Sequence, residues 1–490
     1  MTQGRTAVAL ELPMPAALVH PNQDRSKQEI VYAALRDAIL NGVLRVGAQV
    51  PSTRAMATRW AVSRGTLEVV YERLCAEGYL TRRQGAGTFV SAELPDSYLQ
   101  VQPGLPMMTP SVAMQPRHHE SHVKVGQPFV ARLPDPALFP LQDWARHVLR
   151  CINKAGEIAA ESNQVTGFLP LKQQIAQYLR EHRNIVCEPH QVIITTGIRH
   201  ALALISRAFL RPGDNIAMED PGYPFGRDIF ALAEAKLIDI AITEQGIDVE
   251  ALSKAQQVRA LYVTPSHQSP LGCVMSITKR LAVIDWAQQQ GVLIIEDDYD
   301  SEFSYSGSPL PALMSHDNSA QTLYCGSFNK TLSAELRVGF LVARGAQLAR
   351  LNEVVAIHGR AVAFHEQLAL AEFMRSGAFA RHLRTARQAY AQRRNRLLEI
   401  LTQHANGKFR VSGHEAGLHL VLWLPADRDE SAFCQQAAEH GLQLQPLSLF
   451  CRSITLPPAV ILGYAALTLA QIEVSARSLA TLLVSPASHA

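Results

Sequence analysis

Three things are scarce in this 490-residue chain: paired cysteines, long apolar runs and net charge. Its seven cysteines, at 75, 151, 187, 273, 325, 434 and 451, include no CxxC pair and are odd in number. That pattern indicates neither a disulfide framework nor a zinc site, and leads to an expectation of reduced thiols in a cytoplasmic protein. No stretch of about 18 apolar residues occurs, so no membrane-spanning helix is expected. The opening MTQGRTAVALELPMPAALVHP has one early arginine, but Glu11, Pro13 and Pro15 interrupt its apolar run, unlike a secretory signal. No internal repeat is visible. What is abundant is apolar side chain: 47% hydrophobic against 18% charged residues describes a well-buried globular protein, and the length implies two or three domains.

The net charge of +3 is unevenly placed. Residues 25–92 carry ten Lys/Arg against five Asp/Glu, a net of +5, which leaves about −2 for the rest. A small basic module on a near-neutral body points to a polyanion as partner of the module alone. Within it, Val31, Ala34, Leu35, Ala38 and Ile39 share one helical face from Ile30 until Asn41-Gly42. Ser52 is placed to cap a second helix to Trp60, and Ser63 a third, with Leu67, Val70, Tyr71 and Leu74 facing inward. Two short strands follow, YLTRR and TFVS, joined by the turn QGAG.

Three helices and a hairpin form a winged helix-turn-helix, whose third helix enters the DNA major groove. Ser63, Arg64 and Thr66 then open the recognition helix, with Arg64 and Thr66 toward bases. Arg54, Arg82 and Arg83 are placed for phosphates, and Gly85 and Gly87 let the wing turn approach the backbone. Residues 93–120, with five prolines, read as a semi-extended tether.

From Val192 onward apolar runs (VIITT, NIAMED, ALYVTP, VLIIEDD, TLYCGS, RVGFLVA) alternate with helical stretches near 199–210 and 276–290. This predicts an α/β sheet covered on both faces, with its ligand at the strand ends. In GSFNKTLSAELRVGF (326–340), Lys330 stands three residues after Ser327 and ahead of Arg337 and Gly339. That layout suits pyridoxal 5′-phosphate (PLP): an imine on Lys330, its phosphate on the Ser327 hydroxyl and the Arg337 guanidinium. Gly197, Ile198 and Arg199 open a helix straight after a strand and offer backbone N–H groups to the same phosphate. Tyr223, on the turn DPGYP, can stack on a planar ring; Asp297, past an apolar strand, can pair with a pyridinium nitrogen; Tyr299 can reach the ring's O3′. No histidine joins this acidic cluster at ligand spacing, so no metal is expected. SHQSPLG (266–272) brings His267 to the same edge. The charge-rich helix after 380, the strands LHLVLWL and AVILGY and a closing helix read as a smaller C-terminal part, and the arginine run at 381–396 as a solvated helix face.

The string VPSTRAMATRWAVSRGTLEVVYERLCAEGYLTRRQGAGTFV resembles the GntR family of winged-helix repressors. Residues 125–490 resemble the fold-type I, aminotransferase class I/II enzymes. With EDPGYP, TPSHQSPLG, EDDYDSEF and the SxxK-to-RxG run, the whole chain resembles the MocR/GabR group of PLP-dependent transcriptional regulators. The resemblance implies a winged helix (25–92), a linker (93–120) and a PLP domain (121–490) with large (150–375) and small (376–490) parts. It implies Lys330 as the aldimine lysine, Asp297 at the ring nitrogen, Tyr299 at O3′, Tyr223 on the ring, and a head-to-tail homodimer.

Departures from the pattern are Gly197-Ile198-Arg199 for the usual Gly-Ala-Gln, Asn329 before the lysine, and Ser269 where aminotransferases place an asparagine. Arg199 either adds charge to the phosphate site or Ile198 narrows it. The strand AVILGYA (459–465) lacks the nearby arginine that grips a substrate carboxylate; Arg227, Arg452 and His267 are the substitutes within reach. A site without that clamp reads either PLP itself or an amine lacking the carboxylate contact.

The expected function is a PLP-dependent regulator that binds double-stranded operator DNA and senses PLP, an amine or an amino acid by exchange at Lys330. The alternatives are a working aminotransferase with an accessory DNA module and a cofactor-free dimerisation scaffold.

Overall fold

The computed structural model describes residues 12–19, 26–95, 127–159, 164–305, 310–405 and 407–485. The chain divides into two compact units, 1–115 and 116–490. The tether expected at 93–120 lies outside the described residues from 96 onward.

The first unit is three helices, α1 (Lys27–Leu40), α2 (Thr53–Arg59) and α3 (Arg64–Ala76), then an antiparallel hairpin of β1 (Leu80–Arg83) and β2 (Gly87–Val90). Each helix begins on a serine. Ser26 forms a reciprocal capping box with Glu29, the Ser52 hydroxyl accepts from the Ala55 N–H, and Ser63 from that of Thr66. Such a cap is worth about 1 kcal/mol, and it explains why α1 starts at Lys27, ahead of the apolar face that begins at Ile30. Val31, Leu35, Met56, Trp60, Leu67 and Leu74 close one small core.

In the second unit eight strands form one sheet, ordered β3-β10-β9-β8-β7-β4-β5-β6. These are β3 (Val192–Thr195), β4 (Asn215–Asp220), β5 (Lys236–Thr243), β6 (Gly246–Ile247), β7 (Val258–Val263), β8 (Leu293–Asp298), β9 (Thr322–Ser327) and β10 (Gly339–Val342). Strands β5, β4, β7, β8 and β9 pair in parallel, whereas β10 runs antiparallel between β9 and β3. The carboxyl ends of β3, β4, β7, β8 and β9 and the amino end of β10 therefore share one edge.

Neighbouring residues of a strand point to opposite faces: Leu293 and Ile295 pack toward α4 (Ile198–Phe209), Ile294 toward α5 (Ile277–Gln290). Both faces are covered, as the unbroken apolar runs require. Strand β5 is absent from the sequence-based expectation; only Ile240 within it is buried.

A second, antiparallel sheet, β11-β12-β14-β13, comprises Arg410–Ser412, His419–Trp423, Ala459–Gly463 and Gln445–Pro446 in that order. It packs Leu420, Leu422 and Leu462 into a core shared with helices α6 (Ala378–Ala405) and α7 (Leu469–Val484). No helix among the described residues is long and apolar enough to cross a membrane.

Candidate DNA interface and candidate cofactor cleft

On the first unit, Arg64 lies exposed on the first turn of α3, its Nε 2.8 Å from Glu68. Thr66 bonds Ser63 side chain to side chain at 2.7 Å, so both hydroxyls are engaged in the cap. Arg54 is exposed on α2, and on the wing the Arg83 guanidinium lies 4.7 Å from the Phe89 ring centroid. Arg82 stands 3.9 Å from Glu72. Gln49 donates to the Ala86 carbonyl at 2.8 Å and braces the wing turn. A side chain at Gly87 would meet that amide at 2.6 Å, in a left-handed conformation (φ +106°) that glycine adopts freely. The weak exposed ion pairs of Arg64 and Arg82 can be exchanged for DNA at little cost.

On the second unit the chemistry gathers at the shared sheet edge. Helix α4 starts at Gly197 (φ +115°) with no side-chain cap, which leaves backbone donors pointing outward from its N-terminus. A Cβ at Gly197 would lie 2.9 Å from Asn329 Nδ2 and 4.0 Å from Ser327 Oγ, so the glycine opens a cradle that those side chains border. The loop after β9 folds back on itself: Phe328 N donates to Val338 O at 2.9 Å and Val338 N to Asn329 Oδ1 at 3.2 Å. Arg337, between them, is exposed and forms no ion pair among the described residues.

Asp297, the next-to-last residue of β8, is 5% exposed and accepts from the Tyr262 hydroxyl of the adjacent strand at 2.5 Å. Burial pushes its carboxyl up to about 7; the Tyr262 bond opposes this, while Asp298, Asp300 and Glu219 add to it. Among the described residues no cation pairs with it. Lys330 donates to the carbonyl of Arg132 at 2.7 Å. Burial and then the positive charge of Arg132 bring its ammonium down to about 8, with Asp300 opposing and Arg199 assisting.

Tyr223 precedes the helix Pro224–Leu232 without a side-chain cap bond; burial raises its phenol, and its bond to Arg199 works against that. Arg199 in turn lies 3.5 Å from the Phe225 ring centroid. The Tyr299 hydroxyl is 3.2 Å from His267 Nδ1, which is also 3.0 Å from Asp300.

A lowered lysine pKa means that the reactive free amine is present at lower pH. Lys330 is expected to be acylated in the cofactor-free protein with a midpoint near pH 8, read by mass spectrometry of labelled peptides. A midpoint at the ordinary 10.5 would contradict it.

The three substitutes for a carboxylate grip are occupied. Arg227 pairs with Asp220 at 2.9 Å, Arg452 with Asp239 at 2.8 Å, and His267 is 2% exposed against Asp300. Sequence reasoning did not reach Arg132 or Tyr262. Tyr262 is predictable only once β7 is known to lie beside β8, and Arg132 sits in an irregular segment without periodicity.

A winged helix followed by this doubly covered sheet, with lysine, aspartate and an open helix start at one edge, is a DNA-binding module joined to an aminotransferase fold. The description "Bacterial regulatory proteins, gntR family" matches residues 27–90, and "Aminotransferase class I and II" matches 133–479. The probable rhizopine catabolism regulatory protein MocR of Rhizobium meliloti is 34% identical, covering 89% of this chain and 89% of its own. The HTH-type pyridoxine biosynthesis transcriptional regulator PdxR of Corynebacterium glutamicum is 31% identical, covering 92% of this chain and 94% of its own. Among solved structures, LysN, the alpha-aminoadipate aminotransferase of Thermus thermophilus, superposes with a TM-score of 0.66. It is 27% identical and covers 72% of this chain and 91% of its own. The chain belongs to the MocR-type transcriptional regulators, GntR-like in its first domain and aminotransferase class I and II in its second.

Proposed function

We propose that this regulator holds PLP in its second domain through Lys330, and that an amine effector entering the same cleft alters how a head-to-tail homodimer grips operator DNA in the cytoplasm. The observation that carries this reading is the convergence of three groups on one sheet edge. They are a lysine amine near neutrality, a buried aspartate without a cation, and an uncapped helix N-terminus. The residues fit the cofactor: among the described residues Asp297 has no cation and Arg337 no ion pair, and the start of the helix at Gly197 has no side-chain cap. Asp297 would take the ring nitrogen; Ser327, Arg337 and the N–H groups of Gly197, Ile198 and Arg199 the phosphate; Tyr223 the ring face; Tyr299 the O3′ side. When bound, PLP supplies an electrophilic carbon for primary amines and a ring that accepts electron density.

An effector shifts operator affinity only by its difference in binding free energy between two arrangements of the dimer. DNA contact is tested on an operator selected from a random-sequence pool. Arg64→Ala should cost about 1–3 kcal/mol and relax preference at one base position. Arg83→Ala should weaken all sequences alike and reduce the salt slope by about 1. Equal losses on all sequences for Arg64→Ala would remove it from base readout.

Lys330 and Asp297 together favour one second reading, a working aminotransferase with a DNA module. Repeated transfer from an amino acid to a keto acid at about 1 s⁻¹ or faster would establish it. A single half-turnover, or none, supports the regulator.

A further inference from the structure

We propose, resting on the reading that Lys330 holds the cofactor, that the Arg132 guanidinium grips a carboxylate of the effector. The pocket would then select primary amines that carry a carboxylate over those that do not.

The backbone that presents Arg132 is firmly placed. Gln443 N donates to Pro128 O at 2.8 Å and Gly463 N to Phe129 O at 3.0 Å, and the Phe129 side chain is fully buried. A Cβ at Gly463 would lie 2.0 Å from the Val130 carbonyl oxygen, so the glycine is what lets the segment run along the end of β14. Two residues on, the Arg132 carbonyl accepts from Lys330 Nζ at 2.7 Å, which fixes this arginine beside the reactive amine.

Its side chain lacks an anion. The guanidinium makes one hydrogen bond, Nη2 to the neutral Gln445 Oε1 at 3.1 Å, and lies 4.8 Å from the Phe450 ring centroid. Among the described residues it forms no ion pair. Asp300 acts on it through charge but is bonded to His267 at 3.0 Å. Elsewhere the fold neutralises such groups: Arg183, Arg227 and Arg393 pair with Asp298, Asp220 and Asp135 at 2.7, 2.9 and 2.8 Å. Arg280, also buried, donates to three backbone carbonyls. Arg132, half-buried where the other four are buried, alone of the five has a single neutral acceptor.

The backbone adds an independent observation. Arg132 has φ +62°, where a side chain is strained and glycine is at ease. Strain that persists at a cleft residue points to a use for its side chain. The guanidinium fork matches a carboxylate with two parallel hydrogen bonds. The amine of the effector must come to the position of Lys330 Nζ, so one small molecule has to carry both groups. An amine without the carboxylate brings only positive charge toward Arg132, which disfavours it.

The test uses the full-length PLP-loaded protein, titrated by absorption and calorimetry with the twenty L-amino acids. Ethylamine, isobutylamine and phenethylamine serve as carboxylate-free counterparts of alanine, valine and phenylalanine. At least one amino acid should bind, and the amines should bind more weakly than their counterparts. Arg132→Gln should weaken the amino acid by about 10- to 100-fold and leave the amines unchanged or improved. Arg132→Lys should fall between. Arg132→Gly should melt no lower than wild type, because the strain is relieved, yet lose the carboxylate preference. In the cofactor-free protein, Arg132→Gln should raise the Lys330 labelling midpoint, a change that a packing role would not produce. A normal cofactor band with the carboxylate preference intact in Arg132→Gln overturns this inference alone, as does binding of amines and amino acids alike. Absence of any cofactor band in wild type removes the parent reading with it.

Discussion

Lys330→Ala is expected to abolish the visible absorption that wild type acquires when titrated with PLP, and with it any attachment that borohydride can fix. The amine is the group that makes the bond, and its setting prepares it: burial and the Arg132 charge bring it to about 8, so a sizeable neutral fraction exists at physiological pH. The carbonyl of Arg132 holds Nζ at 2.7 Å, so the amine does not wander through several rotamers. Alanine leaves the rest of the cleft in place, because Ser327, Asn329 and Val338 are held by bonds that do not involve the lysine side chain. The variant should therefore stay folded and still bind DNA, while operator affinity no longer responds to an amine. An unchanged amine response would show that the cleft senses its ligand without the lysine. Equal absorption in both proteins would place the cofactor elsewhere.

Asp297→Asn should produce two effects of opposite sign. The cofactor-free protein should become more stable at pH 8, by roughly 1–3 kcal/mol. The folded chain keeps the Asp297 proton up to about pH 7, whereas an unfolded aspartate releases it near 4. The native state thus binds more protons across that window, and its stability falls as pH rises through it. Asparagine has no proton to lose, so the penalty disappears. PLP affinity should fall by about 10- to 100-fold at the same pH, since the charge-assisted bond to the ring nitrogen is gone. Wild-type affinity should also rise between pH 6 and 8 as the carboxylate forms, and the variant should lack that rise. Thermal melts without cofactor and binding titrations at both pH values separate the two effects. A variant less stable than wild type at pH 8 would mean that Asp297 is held ionised by a partner other than PLP.

The covered α/β sheet and the winged helix were legible because they rest on short-range physics. Serine caps, the spacing of Leu67, Val70, Tyr71 and Leu74, and apolar runs long enough for buried parallel strands all act within a few residues. The strand-end motifs were legible for the same reason, since each places a polar group just past an apolar run. Strand β5 was not, because the edge pair with β6 leaves most of KLIDIAIT only half-buried and its pattern is accordingly faint.

Which side chains are free and which are already paired was decided by the tertiary structure. Arg227 and Arg452 look available in the sequence, but folding sets each beside a carboxylate, Asp220 seven residues away and Asp239 213 away. Tyr262 reaches Asp297 only because β7 lies parallel to β8. Arg132 carries no local signal, and it meets Lys330 across 198 residues because β14 and Gly463 give its segment a track to follow. Local pattern determines the elements, because hydrogen bonds and caps act between near neighbours. Charge pairing and burial act through space, so the chain had to close on itself before one arginine was left facing the lysine without an anion.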